Sequence, residues 1–180
     1  MDPHEKKSVY AGESLIGGAG EGIFANRIFP PRDLVSYYSG HKTYQANIIH
    51  KHNMTLDQRV EAASYLYSIG HHAPSWWAFP RDLLLNIGQE YRDTEDYRTT
   101  LAHKANHDFS GNNVEWGIVD HPVVGGIACL VATEEIDEGD EIYVDYNYDW
   151  DTLVPSWYAD AFKNHDLESR MREKYSHLWK

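Results

Sequence analysis

Apolar residues in this chain gather in short runs, broken by Gly, Pro and acidic turns. That is the signature of many short strands rather than long helices. Val9–Tyr10 and Ser14–Ile16 predict a strand pair, and Ile23–Phe24 and Leu34–Tyr38 predict two more strands with Pro30-Pro31 turning the chain between them. Leu83–Ile87 and Trp76–Phe79 are further short apolar runs that read as strands. Val114–Val119 and Ile127–Thr133 predict a hairpin around His121-Pro-Val-Val-Gly-Gly126. Glu134–Asp140 reads as a turn, and Glu141–Tyr146 as a last short strand. Two stretches change period. Thr55-Leu-Asp-Gln58 is a capping box, and Val60, Ala63, Leu66 and Tyr67 predict a helix over 56–67. Pro155-Ser156 opens another, with Ser156 as N-cap and Trp157, Ala161, Leu167, Met171, Tyr175 and Leu178 at roughly helical spacing. Residues 1–8 are polar and expected to fray. The expected class is mainly β with a few helices.

Composition narrows the function classes. A chain of 180 residues with 42% hydrophobic content suits one globular domain with a sizeable core. The net charge of -12 argues against non-specific nucleic-acid binding and favours a cationic partner such as a Lys-rich or Arg-rich peptide. Sequence-specific contact with nucleic acid and membrane association are not expected, and a monomer is. The single cysteine, Cys129, excludes a disulfide framework or a multi-cysteine zinc cluster, and a reducing intracellular compartment is the expectation. His50, His52, His71 and His72 lack nearby Cys or an HExxH pattern, so they read as surface or structural histidines and no metal is expected. Six Trp and thirteen Tyr suit either a Tyr-rich core or an aromatic slot for a ligand or cation.

Candidate chemistry lies in three places. Gly20-Glu-Gly22-Ile-Phe-Ala25 matches a dinucleotide pattern, but Pro30 and Pro31 leave no room for the crossover helix that pattern needs. An NAD-binding fold is therefore disfavoured. Leu101-Ala-His-Lys-Ala-Asn106-His107-Asp-Phe109-Ser-Gly-Asn112 is answered by Asp140-Glu141-Ile-Tyr-Val-Asp-Tyr146-Asn-Tyr148-Asp. These paired motifs resemble those of the SET-domain lysine methyltransferases, and most closely the branch bearing MORN repeats. The resemblance runs from about Val9 to Phe162. It implies small curved sheets around a pseudoknot, a SET domain over 9–154 with a variable insert at 41–90, and a C-terminal helix at 155–180 completing the cofactor site. The expectation is a catalytic fragment or a stand-alone version, since MORN repeats do not occur in these residues.

The resemblance also implies roles. S-adenosyl-L-methionine would sit against Ala19, Gly20, Glu21 and Gly22, where glycine allows close backbone approach. Asn106 and His107 would hold its amino-acid and adenine ends, and Trp157 would cover the adenine. Tyr146 is the implied catalytic residue, and Tyr38 and Tyr148 the implied walls of the lysine channel. The implied activity is mono-methylation of a histone tail or other basic peptide, in the nucleus. The rival is a catalytically weak adaptor, favoured by Gly111 where the family often has Pro. A further departure is Ala161, beside Asp160, where the branch has an acidic residue. One channel position is ambiguous. Counting from Asn112 reaches Glu115, whereas counting back from His121-Pro122 reaches Trp116, because the chain has one extra residue between these landmarks. Adjacent strand residues face opposite sides. Trp116 is the expected channel residue, with a β-bulge absorbing the extra one.

Overall fold

The computed structural model describes residues 3–44, 55, 66–68, 83–87, 100–109, 111–121, 125–148 and 156–164. Strands dominate: β1 (Val9–Glu13), β2 (Glu21–Ala25), β3 (Leu34–Tyr38), β4 (His41–Tyr44), β5 (Leu66–Ser68), β6 (Leu83–Asn86), β7 (Val114–His121) and β8 (Gly125–Ala132). Among the described residues the helices are short: α1 (Pro3–Ser8), α2 (Ser156–Asn164) and a 3-10 turn at Ala102–Lys104. None is long and apolar enough to cross a membrane.

The strands form three small antiparallel sheets, ordered β1-β2, β3-β8-β7 and β4-β6-β5. β8 is the middle strand of its sheet, and Ala128, Cys129, Leu130 and Ala132 are all buried. Consecutive buried residues point to opposite faces, so both faces of β8 are covered where its apolar run lies. What joins the first two of these sheets is the segment 139–144. Ile142 N–H donates to Ile23 C=O at 2.8 Å and Ala25 N–H to Asp140 C=O at 2.9 Å, which ties this segment to β2. Tyr143 and Val144 bridge in parallel to Asn106 and Val114. One short piece of late chain thus lies between an early strand and the segments before and within β7, which is how the chain threads itself. The sequence predicts a strand over Glu141–Tyr146. These residues make single bridges to three partners instead, because no one neighbour runs alongside them for long. The core beneath is Ile23, Phe29, Val35, Leu101, Leu130, Ile136, Ile142 and Val144, all fully buried.

Several expectations are corrected. Residues 3–8 do not fray. They form α1, and Glu5 is fully buried, accepting hydrogen bonds from Ser36 Oγ (3.0 Å), Tyr37 N–H (2.7 Å) and Leu101 N–H (3.3 Å). Polar composition misleads here because the carboxylate is bonded inside rather than solvated. Ser14–Ile16 is not a strand but part of the connection that closes the β1-β2 hairpin, with Ser14 N–H on Gly20 C=O at 2.8 Å. Leu66 and Tyr67, expected to end a helix, pair with Asn86 and Leu85 of β6. An available strand edge outweighs local helical propensity here, strong though it is for Leu66. Residues 56–65, Trp76–Phe79 and the four histidines at 50, 52, 71 and 72 lie outside the described residues. The β7-β8 register runs unbroken from Val114↔Ala132 to His121↔Gly125, so the extra residue makes no bulge there. The one irregularity in this sheet lies in β3, between Leu34 and Ser36.

Candidate active site

Glu141 is the hub on which the site is assembled. Its side chain is almost fully buried and accepts from Ser14 Oγ (2.7 Å), Leu15 N–H (2.7 Å), Tyr143 Oη (2.8 Å) and Asn106 Nδ2 (3.3 Å). A buried carboxylate is stable only when its lone pairs are occupied, and here they are. The result is that the connection after β1 is stapled to the Asn106 segment. Gly22 sits directly over this carboxylate: a Cβ there would collide with Glu141 Oε1 and lie 3.3 Å from Asn106 Nδ2. Only glycine lets β2 approach so closely. Gly18 and Gly20 have φ of 83° and 78°, conformations that other residues avoid. Ala19 and Gly20 are exposed, and a Cβ on Gly17, Gly18 or Gly20 would meet nothing within 4 Å. Glu21 is exposed, its carboxylate paired with Lys104 Nζ at 2.7 Å and its carbonyl accepting from Asn106 Nδ2 at 3.1 Å.

Asn106 therefore spends its amide NH₂ inward, which turns its Oδ1 to the opposite side of the planar amide. Its backbone carbonyl accepts from Val144 N–H at 2.9 Å. The His107 side chain is only 6% exposed, and Phe109, Tyr158 and Tyr146 surround its ring at centroid distances of 4.4, 5.1 and 5.5 Å. Its Nδ1 accepts from Tyr146 N–H at 3.3 Å, so the neutral tautomer carries its proton on Nε2. Burial holds the imidazole below its ordinary pKa, against the opposing pull of Asp145, whose Oδ1 lies 3.6 Å away. Tyr146 Oη donates to Ala105 C=O at 3.0 Å. A tyrosine hydroxyl has one proton and two lone pairs. With the proton committed to Ala105, the lone pairs are what Tyr146 presents.

Two aromatic groups flank this centre. Tyr146 meets Tyr148 edge-on at 5.7 Å and Trp157 edge-on at 6.2 Å. Tyr158 anchors α2 beneath them, buried against His107, Phe109 and Tyr148, whereas Trp157 stays 50% exposed. Burial, with Asp145 and Tyr148 adding to it, pushes the Tyr158 hydroxyl up to about 12, so it is neutral and a donor at physiological pH. The second group is Tyr38, Tyr67 and Trp116. Trp116 Nε1–H donates to Asp145 C=O at 2.9 Å, which places the indole next to the Tyr146 backbone. Glu115, the other candidate, is exposed on the opposite side of β7. Tyr38 meets Trp116 edge-on at 5.4 Å.

The site thus brings together Gly22, Glu21, Asn106, His107, Tyr146, Tyr148 and Trp157, with Tyr38 and Trp116 joined through Asp145. Sequence reading passed over Glu141's side chain, Asn113, Tyr158 and Tyr67. Asn113 takes the Glu141 carbonyl (2.9 Å) and the Tyr143 N–H (2.9 Å) with one amide, standing in for a missing strand. Glu141 lies within the second motif and Tyr158 beside Trp157, and that placement was the available signal. Tyr67 gave none. Among the described residues no group of three or more His, Cys, Asp or Glu is placed to hold a metal ion.

Residues 20–147 match the SET domain family. The chain is 28% identical over 169 residues to a histone-lysine N-methyltransferase SETD7 of Halocynthia roretzi, covering 90% of this chain and 39% of that protein. It therefore spans about two-fifths of that relative's length. Two solved structures share the fold. CpSET8 from Cryptosporidium superposes with a TM-score of 0.54 at 16% identity, over 78% of this chain and 58% of its own. The Chaetomium thermophilum Polycomb Repressive Complex 2 gives 0.55 at 16% identity, over 87% of this chain and 17% of its own.

Proposed function

The chain belongs to the SET-domain family, and we propose on that premise that it is an S-adenosylmethionine-dependent protein-lysine N-methyltransferase that adds one methyl group to a histone tail or other basic peptide. The observation that carries the reading is the junction at 141–146. It holds the glycine turn over Glu141, Asn106 beside it, and the Tyr146 oxygen on Ala105, all within one short threaded segment. The similarity to a histone-lysine methyltransferase supports the substrate class, as does the charge of -12, and a histone substrate puts its work in the nucleus.

The cradle suits the cofactor. The open Cβ positions at Gly17, Gly18 and Gly20 leave bare backbone at the Ala19–Gly22 turn. Asn106 Oδ1 is an acceptor for the ammonium of its amino-acid end, the His107 backbone is a partner for the adenine edge, and the half-exposed Trp157 ring is a cover for it. Bound S-adenosylmethionine supplies an electrophilic methyl on a sulfonium sulfur. The protein's part is to deliver a neutral amine in line. Lysine has a pKa near ~10.4 in water, and an apolar aromatic channel beside a positive charge disfavours its ammonium form. Tyr38, Tyr148 and Trp116 are the walls of that channel. Tyr146, offering lone pairs, accepts an amine N–H and fixes the direction of attack. Trp116 fills the space a methylated amine needs, so one methyl is added. The domain over 9–154, with its insert at 41–90, carries the chemistry, and the segment 155–180 closes the cofactor side.

Tritiated-methyl transfer onto core histones and a lysine peptide array is the test, run beside calorimetry of S-adenosylmethionine binding. Labelled histone and a loss of cofactor affinity in Asn106→Ala are expected. Binding without transfer would make the chain an adaptor, and absence of both would sink the reading.

A further inference from the structure

Tyr67 belongs to the insert and lies in none of the motifs, yet it is 7% exposed. Its ring lies on the face of Trp116, with centroids 4.3 Å apart and planes 29° from parallel, and 6.0 Å from Tyr38. Trp116 is held from two other directions. Its Nε1–H is bonded to Asp145 C=O at 2.9 Å, and Tyr38 meets it edge-on at 5.4 Å. The hydrogen bond pins one atom of the indole and leaves the ring free to tip about it. The edge contact limits tipping in one sense. The face contact from Tyr67 removes the other.

We propose that Tyr67 is a positioning residue that sets how many methyl groups are added, by lying flat on Trp116 and holding the indole beside Tyr146. The proposal rests on the lysine-methyltransferase reading above and deepens it. A second transfer requires the amine to rotate its first methyl out of the line of attack, and that needs free volume at the wall. An indole clamped on one face, one edge and its N–H offers none. An indole released on its face can tip outward and admit the methylated amine. Tyr67 reaches Trp116 from β5, a three-residue strand that among the described strands pairs with β6 at the sheet edge. The methylation state is thus governed from the insert rather than from the paired motifs.

The experiment measures methyl-transfer rates on two forms of one histone-tail peptide, unmethylated and mono-methylated at the target lysine, read by mass spectrometry. The parent chain should strongly prefer the unmethylated form. Tyr67→Ala should narrow that preference roughly threefold to tenfold, the scale of a lost aromatic stack. Tyr67→Phe keeps the ring and should restore the preference. Trp116→Ala should narrow it too, and adding Tyr67→Ala to that variant should change nothing more. If Tyr67→Ala slows both peptides equally, the residue is merely structural and the proposal fails. If the parent labels neither peptide, the enzymatic reading fails instead. Thermal melts of the parent, Tyr67→Ala, Trp116→Ala and the double variant then test the clamp without any activity: the double substitution should cost less than the sum of the two singles, and additive losses would overturn it.

Discussion

At the scale of single residues, position relative to a partner matters more than residue type. Tyr146 and Tyr143 are both half-buried tyrosines of one short segment, but Tyr143 gives its hydroxyl proton to the Glu141 carboxylate and Tyr146 gives its to a backbone carbonyl. Burial, and then the Glu141 carboxylate, raise the Tyr143 pKa and make that residue part of the scaffold. Tyr146→Phe should cost only ~1 kcal/mol of stability, since a single hydrogen bond is lost. Methyl transfer should fall on the order of 100-fold, the cost of a misplaced reactant; stopped assays with labelled cofactor measure it, and near-normal turnover would put the acceptor elsewhere. His103 gives a prediction of a different kind. Burial first, and Lys104 second, lower its pKa to about 4, while Glu21 and a hydrogen bond with the Thr100 backbone pull weakly the other way. The unfolded chain, with an ordinary His near ~6.5, takes up the proton first as pH falls. Stability is therefore full above about 6.5 and is lost progressively toward about 4, by ~3 kcal/mol once both states are protonated. Melting temperature against pH should show this acid limb, and His103→Gln should flatten it. An unchanged limb in that variant would assign the loss to other groups.

At the scale of elements, the least conspicuous one does structural work far from itself. α1 is six residues long and lies outside the matched span 20–147, but its Glu5 ties Ser36 and Tyr37 of β3 to Leu101, the residue before the 3-10 turn that leads to Asn106. One carboxylate thus aligns the strand bearing Tyr38 with the segment bearing the Asn-His pair. Glu5→Ala leaves a hydroxyl and two N–H groups without this acceptor, at ~1–3 kcal/mol for each group that stays unsatisfied. The urea midpoint should drop accordingly with little change in slope, and Glu5→Gln, which keeps one acceptor oxygen, should recover part of the loss. A midpoint within error of the parent would show that α1 is expendable. The β1-β2 hairpin follows the same logic: its connection is shaped by Glu141, 127 residues away from Ser14.

At the scale of the whole molecule, charge and threading set behaviour. On the proposed function, a net charge of -12 would attract a cationic peptide over distances that salt shortens, from a Debye length of ~10 Å at 0.1 M to ~3 Å at 1 M. Affinity for a Lys-rich histone-tail peptide should therefore weaken markedly as ionic strength rises from about 0.1 to 1 M, whereas cofactor affinity, resting on short contacts, should weaken less. Fluorescence anisotropy with a labelled peptide would read this, and a salt-independent affinity would remove charge as the source of recognition. Local pattern was enough to read the strand Leu34–Tyr38, a strand over Leu83–Ile87 that the structure ends at Asn86, the β7-β8 hairpin, the opening of α2 at Ser156 and the paired motifs around Asn106 and Tyr146, because alternation, turn residues and residue type are local properties. Only the tertiary structure decided that Glu5 is buried, that Leu66–Tyr67 joins a sheet, that the extra residue makes no bulge in β7, and that Trp116 and Tyr67 lie face to face. Each of these depends on a partner distant in the chain: a carboxylate's donors, a strand's free edge, a ring's stacking face. No window of sequence contains both members of such a pair, so the physics that fixes them acts only once the chain has folded.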